Sequence, residues 1–378
     1  MMFTKPANWV RWASLCGVLA VVSACSSAPS KPDPAPLPSV SGELAVKKVW
    51  SSRIGTVTSP LLPSVHAGRV AVASTDGQLA LLDGLTGKDV WRLQLPQPIV
   101  AGVGGDGQRF AVVNQRNEVV AIEDGKVVWR YALSAVSLTP PLVAGGRVFV
   151  LSADRTVTAL DGASGQKIWA QQRTVDPLVL NQAGLLIPFG DTLLVGWGGR
   201  LASLNPNNGS VRWETLLATS RGTNEVERLV DLVAGADRQG NTVCARAFQS
   251  SVACVDASRG SNLWSRSAQG HTGLAGDENL IFGTESDSKV HAWQRQGGQI
   301  AWSQDGLRFR GLSAPLVLGR SVVFGDDGGL LHFLSRKDGK PLLRVSTDGS
   351  AIAGRPVAVD QTLVVVTRTG GVFGYRPE

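Results

Sequence analysis

Residues 79–91 read LALLDGLTGKDVW, and residues 157–169 read VTALDGASGQKIW. Both stretches begin with alternating apolar residues and continue with an Asp, a Gly four residues later and a Trp four residues after the Gly. The pattern returns less strictly five more times, once with a turn two residues shorter and once with Leu343 in place of the Trp. These five copies are residues 119–129, 201–213, 252–264, 290–302 and 331–343. Such recurrence indicates an architecture of repeated supersecondary units.

The repeat tryptophans set the length of the unit. Counted from Trp50, the spacings are 41, 38, 40, 44, 51 and 38 residues, and Leu343 follows after another 41. A period near forty with four short alternating segments is typical of β-propeller blades, and no helical pattern separates the strands. We predict that the tryptophans pack between adjacent blades instead of forming a binding surface. They are Trp50, Trp91, Trp129, Trp169, Trp213, Trp264 and Trp302.

The two ends of the repeat region complete each other. Residues 356–376 contain strands with no Trp strand after them, whereas residues 45–50, AVKKVW, form a Trp strand with nothing before it. We therefore predict an all-β fold, a single eight-bladed β-propeller over residues 43–378 whose last blade is closed by the N-terminal strand. Closure removes the exposed edges that an open sheet would have to protect.

The first forty residues carry a targeting signal. Lys5 and Arg11 accompany a short apolar run at residues 12–22, the pattern of a secretory signal peptide over residues 1–24. The run VSAC at residues 22–25 resembles the lipobox of bacterial lipoproteins, which implies that Cys25 carries a lipid anchor such as palmitate. The alternative is an ordinary signal peptide cut near a free Cys. No Asp follows Cys25, which resembles lipoproteins sorted to the outer membrane.

Residues 25–42 read as the lipidated Cys followed by a tether. Five prolines and few large apolar side chains in residues 26–42 favour an extended spacer. At about 3.1 Å per residue, the rise of polyproline II, this spacer would reach roughly 50 Å.

The sequence contains few residue patterns that are typical of catalytic sites. The four histidines have no metal-ligand spacing, and we find no catalytic or phosphate-binding motif, so we predict no catalytic residue, no metal and no cofactor. The net charge is +7 without a Lys/Arg run, which argues against a nucleic-acid partner. Cys244 and Cys254 flank a hairpin turn. A disulfide requires them to lie in register, and a shift of one residue would put them on opposite faces.

The G-x-x-x-W repeat resembles the PQQ-type propeller repeat, which quinoprotein dehydrogenases share with non-enzymatic relatives. With the lipobox, the spacer and eight blades, the chain resembles the propeller lipoproteins of the machinery that assembles β-barrel proteins in the bacterial outer membrane, the BAM complex. The resemblance implies a scaffold, not an enzyme, on the periplasmic face of the outer membrane. Its expected partners are the periplasmic domains of the barrel protein BamA, other members of the complex and unfolded outer-membrane protein precursors.

Two loops carry the more specific part of this resemblance. Residues 222–231, GTNEVERLVD, are similar to a family motif in which an acid, Arg-Leu and then Asp follow a Gly. A second loop lies one blade earlier. Asn181 stands where the family has an Arg, and Val233 stands where it commonly has a second Asp. The resemblance implies these partner-binding residues: Leu178, Leu180, Asn181, Arg228 and Asp231. The alternative for residues 225–231 is a solvated loop whose Arg228 pairs locally with an acid.

Two other functions remain open at this stage. A PQQ-dependent oxidoreductase shares the repeat, but those enzymes are typically longer and many carry adjacent cysteines beside the cofactor, whereas Cys244 and Cys254 are ten residues apart. No Asp/Glu/Asn cluster stands out as a calcium site. The second alternative is a lipoprotein that binds a small molecule in the propeller channel.

Overall fold

The alternating segments of the repeat form thirty-two β-strands in eight four-stranded antiparallel sheets. The structure is a computed structural model that describes residues 1–2, 32–58, 61–173, 178–219 and 229–378. Each sheet is one blade, and all the regular elements in these ranges are strands, which confirms the predicted eight-bladed propeller. We find within them no helix with the length and apolar character that a membrane span requires.

The blades follow one another along the chain. The strands of blades 1 to 4 are β2 (Ser64–His66), β3 (Arg69–Ala73), β4 (Gln78–Asp83), β5 (Asp89–Gln94), β6 (Ile99–Gly105), β7 (Arg109–Asn114), β8 (Glu118–Glu123), β9 (Lys126–Ala132), β10 (Leu142–Ala144), β11 (Arg147–Leu151), β12 (Thr156–Asp161), β13 (Lys167–Gln172), β14 (Leu186–Phe189), β15 (Thr192–Trp197), β16 (Arg200–Leu204) and β17 (Val211–Leu216). Those of blades 5 to 7 are β18 (Asp237–Gln239), β19 (Thr242–Ala247), β20 (Ser251–Asp256), β21 (Ser261–Ser267), β22 (Ala275–Gly276), β23 (Leu280–Thr284), β24 (Val290–Gln294), β25 (Ile300–Gln304), β26 (Leu316–Leu318), β27 (Ser321–Gly325), β28 (Leu330–Ser335) and β29 (Pro341–Ser346). Blade 8 contains β30 (Val357–Val359), β31 (Thr362–Val366), β32 (Gly371–Pro377) and the N-terminal strand β1 (Val46–Arg53).

The pairing of β1 with β32 closes the ring. The two strands run antiparallel, from Val46 opposite Pro377 to Arg53 opposite Gly371. This pairing confirms the prediction that the N-terminal strand completes the last blade. The compact unit that contains the propeller extends from Ala35 to Glu378, so residues 35–42 of the segment that we read as a tether lie within it.

Each repeat Trp lies against the turn glycine of the next blade. Trp129 Nε1 donates to Gly162 O over 2.7 Å, and a Cβ built on Gly165 would lie 2.6 Å from the Trp129 ring. Seven such pairs connect the blades: Trp50 with Gly87, Trp91 with Gly125, Trp129 with Gly165, Trp169 with Gly209, Trp213 with Gly260, Trp264 with Gly298 and Trp302 with Gly339. The Gly and the Trp of one repeat therefore contact different neighbours, and together they join the blades in series.

Blade 7 carries Leu343 instead of a Trp for a reason that lies in the ring closure. The next outer pair of strands is β32 and β1, and no hairpin turn joins them. A Trp at position 343 would consequently have no turn glycine to cover. Leu343 packs instead with Leu44 and Val46 against a cluster of buried side chains from blades 7 and 8.

The hairpin of β19 and β20 places Cys244 directly opposite Cys254. Their Cα atoms are 4.0 Å apart, and the two residues form a disulfide. Both side chains are buried and pack with Trp264 and Trp293. Of the two registers that the sequence left open, the structure has the one that brings the cysteines together.

Candidate partner-binding site

The antiparallel order of each blade divides its loops between two faces of the ring. One face carries the turn between the second and third strands and the connection to the next blade; we call it the connection face. It includes the turn at residues 152–155 and the connections at residues 178–185 and 229–236. The opposite face, which we call the hairpin face, carries the turns between the outer two strands, such as residues 84–88. Both loops that the sequence singles out therefore lie on the connection face.

Asp231 joins these two loops. Its carboxylate forms a salt bridge with the Arg155 guanidinium, in which Nη2 and Oδ2 are 3.1 Å apart, and accepts a hydrogen bond from Leu180 N over 3.2 Å. Arg155 Nη2 also donates to Leu178 O over 3.1 Å. The ion pair thus consists of Arg155 from the turn of blade 3 and Asp231 from the second loop, and both side chains bind backbone groups of the first loop. Asp231 is only 6% exposed, so its carboxylate serves this contact inside the protein.

Backbone hydrogen bonds hold the same loops in a short sheet-like arrangement. Leu185 N donates to Leu232 O over 3.1 Å, and Ala234 N donates to Ala183 O over 2.9 Å. Val233 N donates to Arg246 O over 3.0 Å on the other side. Val233 itself is buried, so the position at which the family commonly has a second Asp is an apolar packing position here.

The remaining candidate residues differ in their exposure. Leu178 is 37% exposed, and Asn181 is also exposed, so both are available on the connection face. Leu180 is half-buried and lines a small cavity with Leu138, Leu151 and Asp231. Arg228 lies outside the described residues. The structure therefore brings together four of the five candidates, and only two of these four face outward.

Arg155 is the residue that the sequence analysis missed. It occupies the left-handed position of the turn in blade 3, with φ of 64°, where blade 1 has Gly77. A non-glycine residue at positive φ is uncommon, and a long side chain there suggests that its contacts compensate the strain. Blades 2 and 6 also lack a glycine at this position, where they have Asn117 and Ser288, so the sequence alone did not single out Arg155.

The described residues contain no group of three or more His, Cys, Asp or Glu side chains that could hold a metal ion. Arg246 is one of the most deeply buried charged residues in the described ranges: it is 1% exposed and has its guanidinium carbon 5.8 Å from the centre of the Trp293 ring. Burial lowers the pKa of Arg246 to about 10, so it remains charged at neutral pH. Nothing of this group reaches the surface of the loops.

The fold and the site define a class of protein: a β-propeller of PQQ-type repeats that presents loops on a rigid ring. The family described as outer membrane protein assembly factor BamB matches residues 45–101 and 97–304. The BamB protein of Burkholderia pseudomallei is 36% identical over 362 residues, 94% of this chain and 95% of the relative. That of Bordetella pertussis is 32% identical over 383 residues, 100% of this chain and 99% of the relative. The chain belongs to the BamB family of outer membrane protein assembly factors.

Solved structures agree on the fold. BamB from Moraxella catarrhalis superimposes with a TM-score of 0.80 at 22% identity, covering 88% of this chain and 100% of that chain. Quinohemoprotein alcohol dehydrogenase from Comamonas testosteroni has a TM-score of 0.68 at 14% identity and covers 87% of this chain and 76% of that chain. At these sequence identities, the similarity to the solved structures shows the fold alone.

Membership of this family favours the assembly role over the PQQ-dependent oxidoreductase. The relatives are assembly factors and not enzymes, which confirms the prediction of a non-catalytic protein. The chain is accordingly a member of the outer-membrane protein assembly machinery and is associated with the outer membrane.

Proposed function

We propose that this protein is a lipid-anchored scaffold on the periplasmic face of the outer membrane that binds the periplasmic domains of BamA through its connection face. The contact would be made by Leu178, Asn181 and Arg228, while Leu180 and Asp231 hold the loops in position. In this role the protein assists the insertion of outer-membrane proteins without making or breaking a covalent bond.

One observation carries the proposal: two consecutive inter-blade loops are fixed to each other by the buried carboxylate of Asp231. Loops on a rigid scaffold are common binding sites, and holding their backbone in advance lowers the entropy that binding would otherwise cost. Leu178 supplies an exposed apolar side chain at the rim of this fixed arrangement. Interfaces commonly have apolar anchors near the centre and polar groups at the rim.

The lipid anchor at Cys25 would complement a modest intrinsic affinity. Confining both partners to a thin layer beside the same membrane raises their effective concentration, so that weak contacts suffice for association. Cys25 lies outside the described residues, and the support for its lipidation is the lipobox-like run at residues 22–25.

The test compares two exposed leucines on opposite faces. We expect Leu178→Asp to weaken binding to the purified periplasmic domains of BamA at least tenfold in calorimetric titration, because it places a charge in an apolar contact. Leu85, which is 64% exposed on the hairpin face, provides the matched control, and Leu85→Asp should bind as the wild type does. Wild-type affinity of a folded Leu178→Asp variant would move the interface away from this loop.

A further inference from the structure

The proline-rich segment before β1 lies along the outside of blade 7. Ala35 N donates to Arg308 O over 2.9 Å at one end of the segment. Ser41 N donates to Pro341 O over 3.1 Å, and Gly42 N donates to the next carbonyl of β29 over 3.2 Å at the other end. A free polyproline segment has no internal hydrogen bonds and has a solvated backbone, so these contacts set residues 35–43 apart from an ordinary spacer.

Two arginines bind carbonyl groups of the segment. Arg310 Nη2 donates to Ala35 O over 2.7 Å, and Arg344 Nη2 donates to Pro38 O over 2.5 Å. Pro38 also packs against the backbone near Gly306, where a Cβ would lie 3.5 Å from Pro38 Cγ. Proline has no N–H with which to continue a sheet, so carbonyl groups of a proline-rich segment remain free to accept hydrogen bonds from long arginine side chains of the blade.

The segment is held beyond these two points as well. Arg320, in the turn between β26 and β27, donates to Glu43 O, and its guanidinium lies 3.8 Å from the Glu43 carboxylate. Leu44 then packs against the apolar cluster of blades 7 and 8. Contacts with the propeller therefore recur along the segment, at Ala35, Pro38, Ser41, Gly42, Glu43 and Leu44.

The arginines in turn depend on acceptors. Arg310 Nη1 lies 3.5 Å from Oδ2 of the buried Asp326 carboxylate. The same oxygen is hydrogen-bonded to His332 Nε2 at 2.9 Å. Burial and the neighbouring charge of Arg310 lower the pKa of Arg344. Two guanidinium groups so close together, and partly removed from water, are stabilised by each carbonyl oxygen that they bind. The segment supplies one such oxygen to each.

We infer that residues 35–43 form a strap docked on the outer edge of blade 7, so that the chain leaves the propeller at Ala35 and not at the start of β1. The spacer would then consist of residues 26–34, nine residues, which at about 3.1 Å per residue reach about 28 Å. The strap also covers the edge of β29, the one outer strand whose repeat Trp is replaced.

The position of Ala35 determines how an anchored propeller faces the membrane. Arg308, its partner, lies in the connection between blades 6 and 7, and therefore on the connection face that carries Leu178. This consequence rests on the proposed anchor: a spacer leaving from the connection face turns that face toward the bilayer and brings the partner-binding loops with it.

The strap itself is tested in the unlipidated Cys25→Ser protein, so that the result does not depend on the anchor. Spin labels are placed at Leu37→Cys and Val128→Cys, two exposed positions, and their distance distribution is measured by pulsed electron paramagnetic resonance. We expect a single narrow distribution. The double variant Arg310→Ala/Arg344→Ala should broaden it, whereas the control Arg212→Ala/Arg259→Ala, at two arginines that pair with local acids, should not.

A second measurement needs no variant of the body. Backbone amide exchange should be slower at Ala35, Ser41 and Gly42, which donate hydrogen bonds, than at Ser39 and Val40. A broad distance distribution in the parent protein, or equal exchange at all five amides, would show that the strap does not exist in solution.

The orientation is tested with the lipidated protein on vesicles that contain a nickel-chelating lipid. A spin label at Asn181→Cys on the connection face should relax faster than one at Leu85→Cys on the hairpin face. Equal or reversed relaxation would overturn the orientation. Failure of the protein to bind vesicles at all would instead contradict the proposed anchor, so the two outcomes are distinguishable.

Discussion

Arg155 and Asp231 are 76 residues apart in sequence and form one nearly buried ion pair between two loops and a turn. The two side chains are only 11% and 9% exposed. The residues that hold this site therefore differ from those that are free to contact a partner. Such a pair is itself only weak evidence for net stability, because the desolvation of both charges opposes their attraction. Its effect is on the conformation of the loops.

Removing one charge of this pair should be costly. We expect Asp231→Asn to lower the free energy of unfolding by about 3 kcal/mol, since it leaves the Arg155 guanidinium uncompensated. The double variant Arg155→Met/Asp231→Leu removes both charges and should recover at least half of that loss, as measured by urea denaturation. BamA binding should be weakened in Asp231→Asn and should not recover in the double variant, because the double variant also lacks the hydrogen bonds to Leu178 O and Leu180 N. Unchanged stability and binding in Asp231→Asn would show that the carboxylate does not hold the loops.

At the residue scale, the sequence singled out two loops but did not reveal which of their residues are buried and which are exposed. Leu178 and Asp231 carry the same family resemblance, yet one is exposed and the other is buried. Burial of Asp231 depends on a partner from a different blade, and neither spacing nor composition reports such a contact.

At the scale of elements, the contact between a Trp and the next blade's turn glycine is repeated seven times. The contribution of this packing contact to stability can be measured separately from the cost of a non-glycine residue at positive φ. Gly165 and Gly145 both have positive φ, 73° and 58°, but a Cβ at Gly165 would meet the Trp129 ring, whereas a Cβ at Gly145 would have nothing within 4 Å. The two positions therefore form a natural pair for comparison.

We expect Gly145→Ala to cost about 1 kcal/mol, the strain of an alanine at positive φ. Gly165→Ala should cost about 2 kcal/mol more, because the methyl group must displace the Trp129 ring and overpack the joint between blades. Thermal and urea denaturation of the two variants give the comparison. Equal losses in both variants would mean that the tryptophans do not rest tightly on the turns.

The strands, their grouping and the closing role of β1 followed from sequence because each depends on a local signal: period-two alternation, a turn glycine and a Trp at fixed phase. The strap gives no such signal. Its prolines suppress any strand period, and Arg310 and Arg344 read as ordinary surface charges until the chain is seen to pass over them. Register in the Cys244 hairpin likewise depends on the geometry of one turn.

At the scale of the whole molecule, the ring supplies a rigid body, and the proposed lipid anchor would attach it to the membrane through the N-terminal segment. We expect Cys25→Ser to shift the protein from the outer-membrane fraction to the soluble periplasm, because the variant lacks the sulfur that carries the lipid. Cys16→Ser alters a cysteine within the signal peptide and should fractionate as the wild type does. Because contacts with BamA could also retain the protein at the membrane, the measurement is repeated with the double variant Cys25→Ser/Leu178→Asp. Cofractionation of this double variant with the outer membrane would rule out the lipid anchor.

The closure of the ring by β1 and β32 also constrains when the molecule can be completed. A ribosome makes β1 before any other strand of the ring and β32 after all of them. Because β1 pairs with β32, the ring cannot close until the seven residues of β32 have been made. During that interval β1 is an unpaired strand, open to pairing with another chain. Loss of β32 would leave β1 and β31 without the strand that lies between them, and both of their open edges could then pair with other chains.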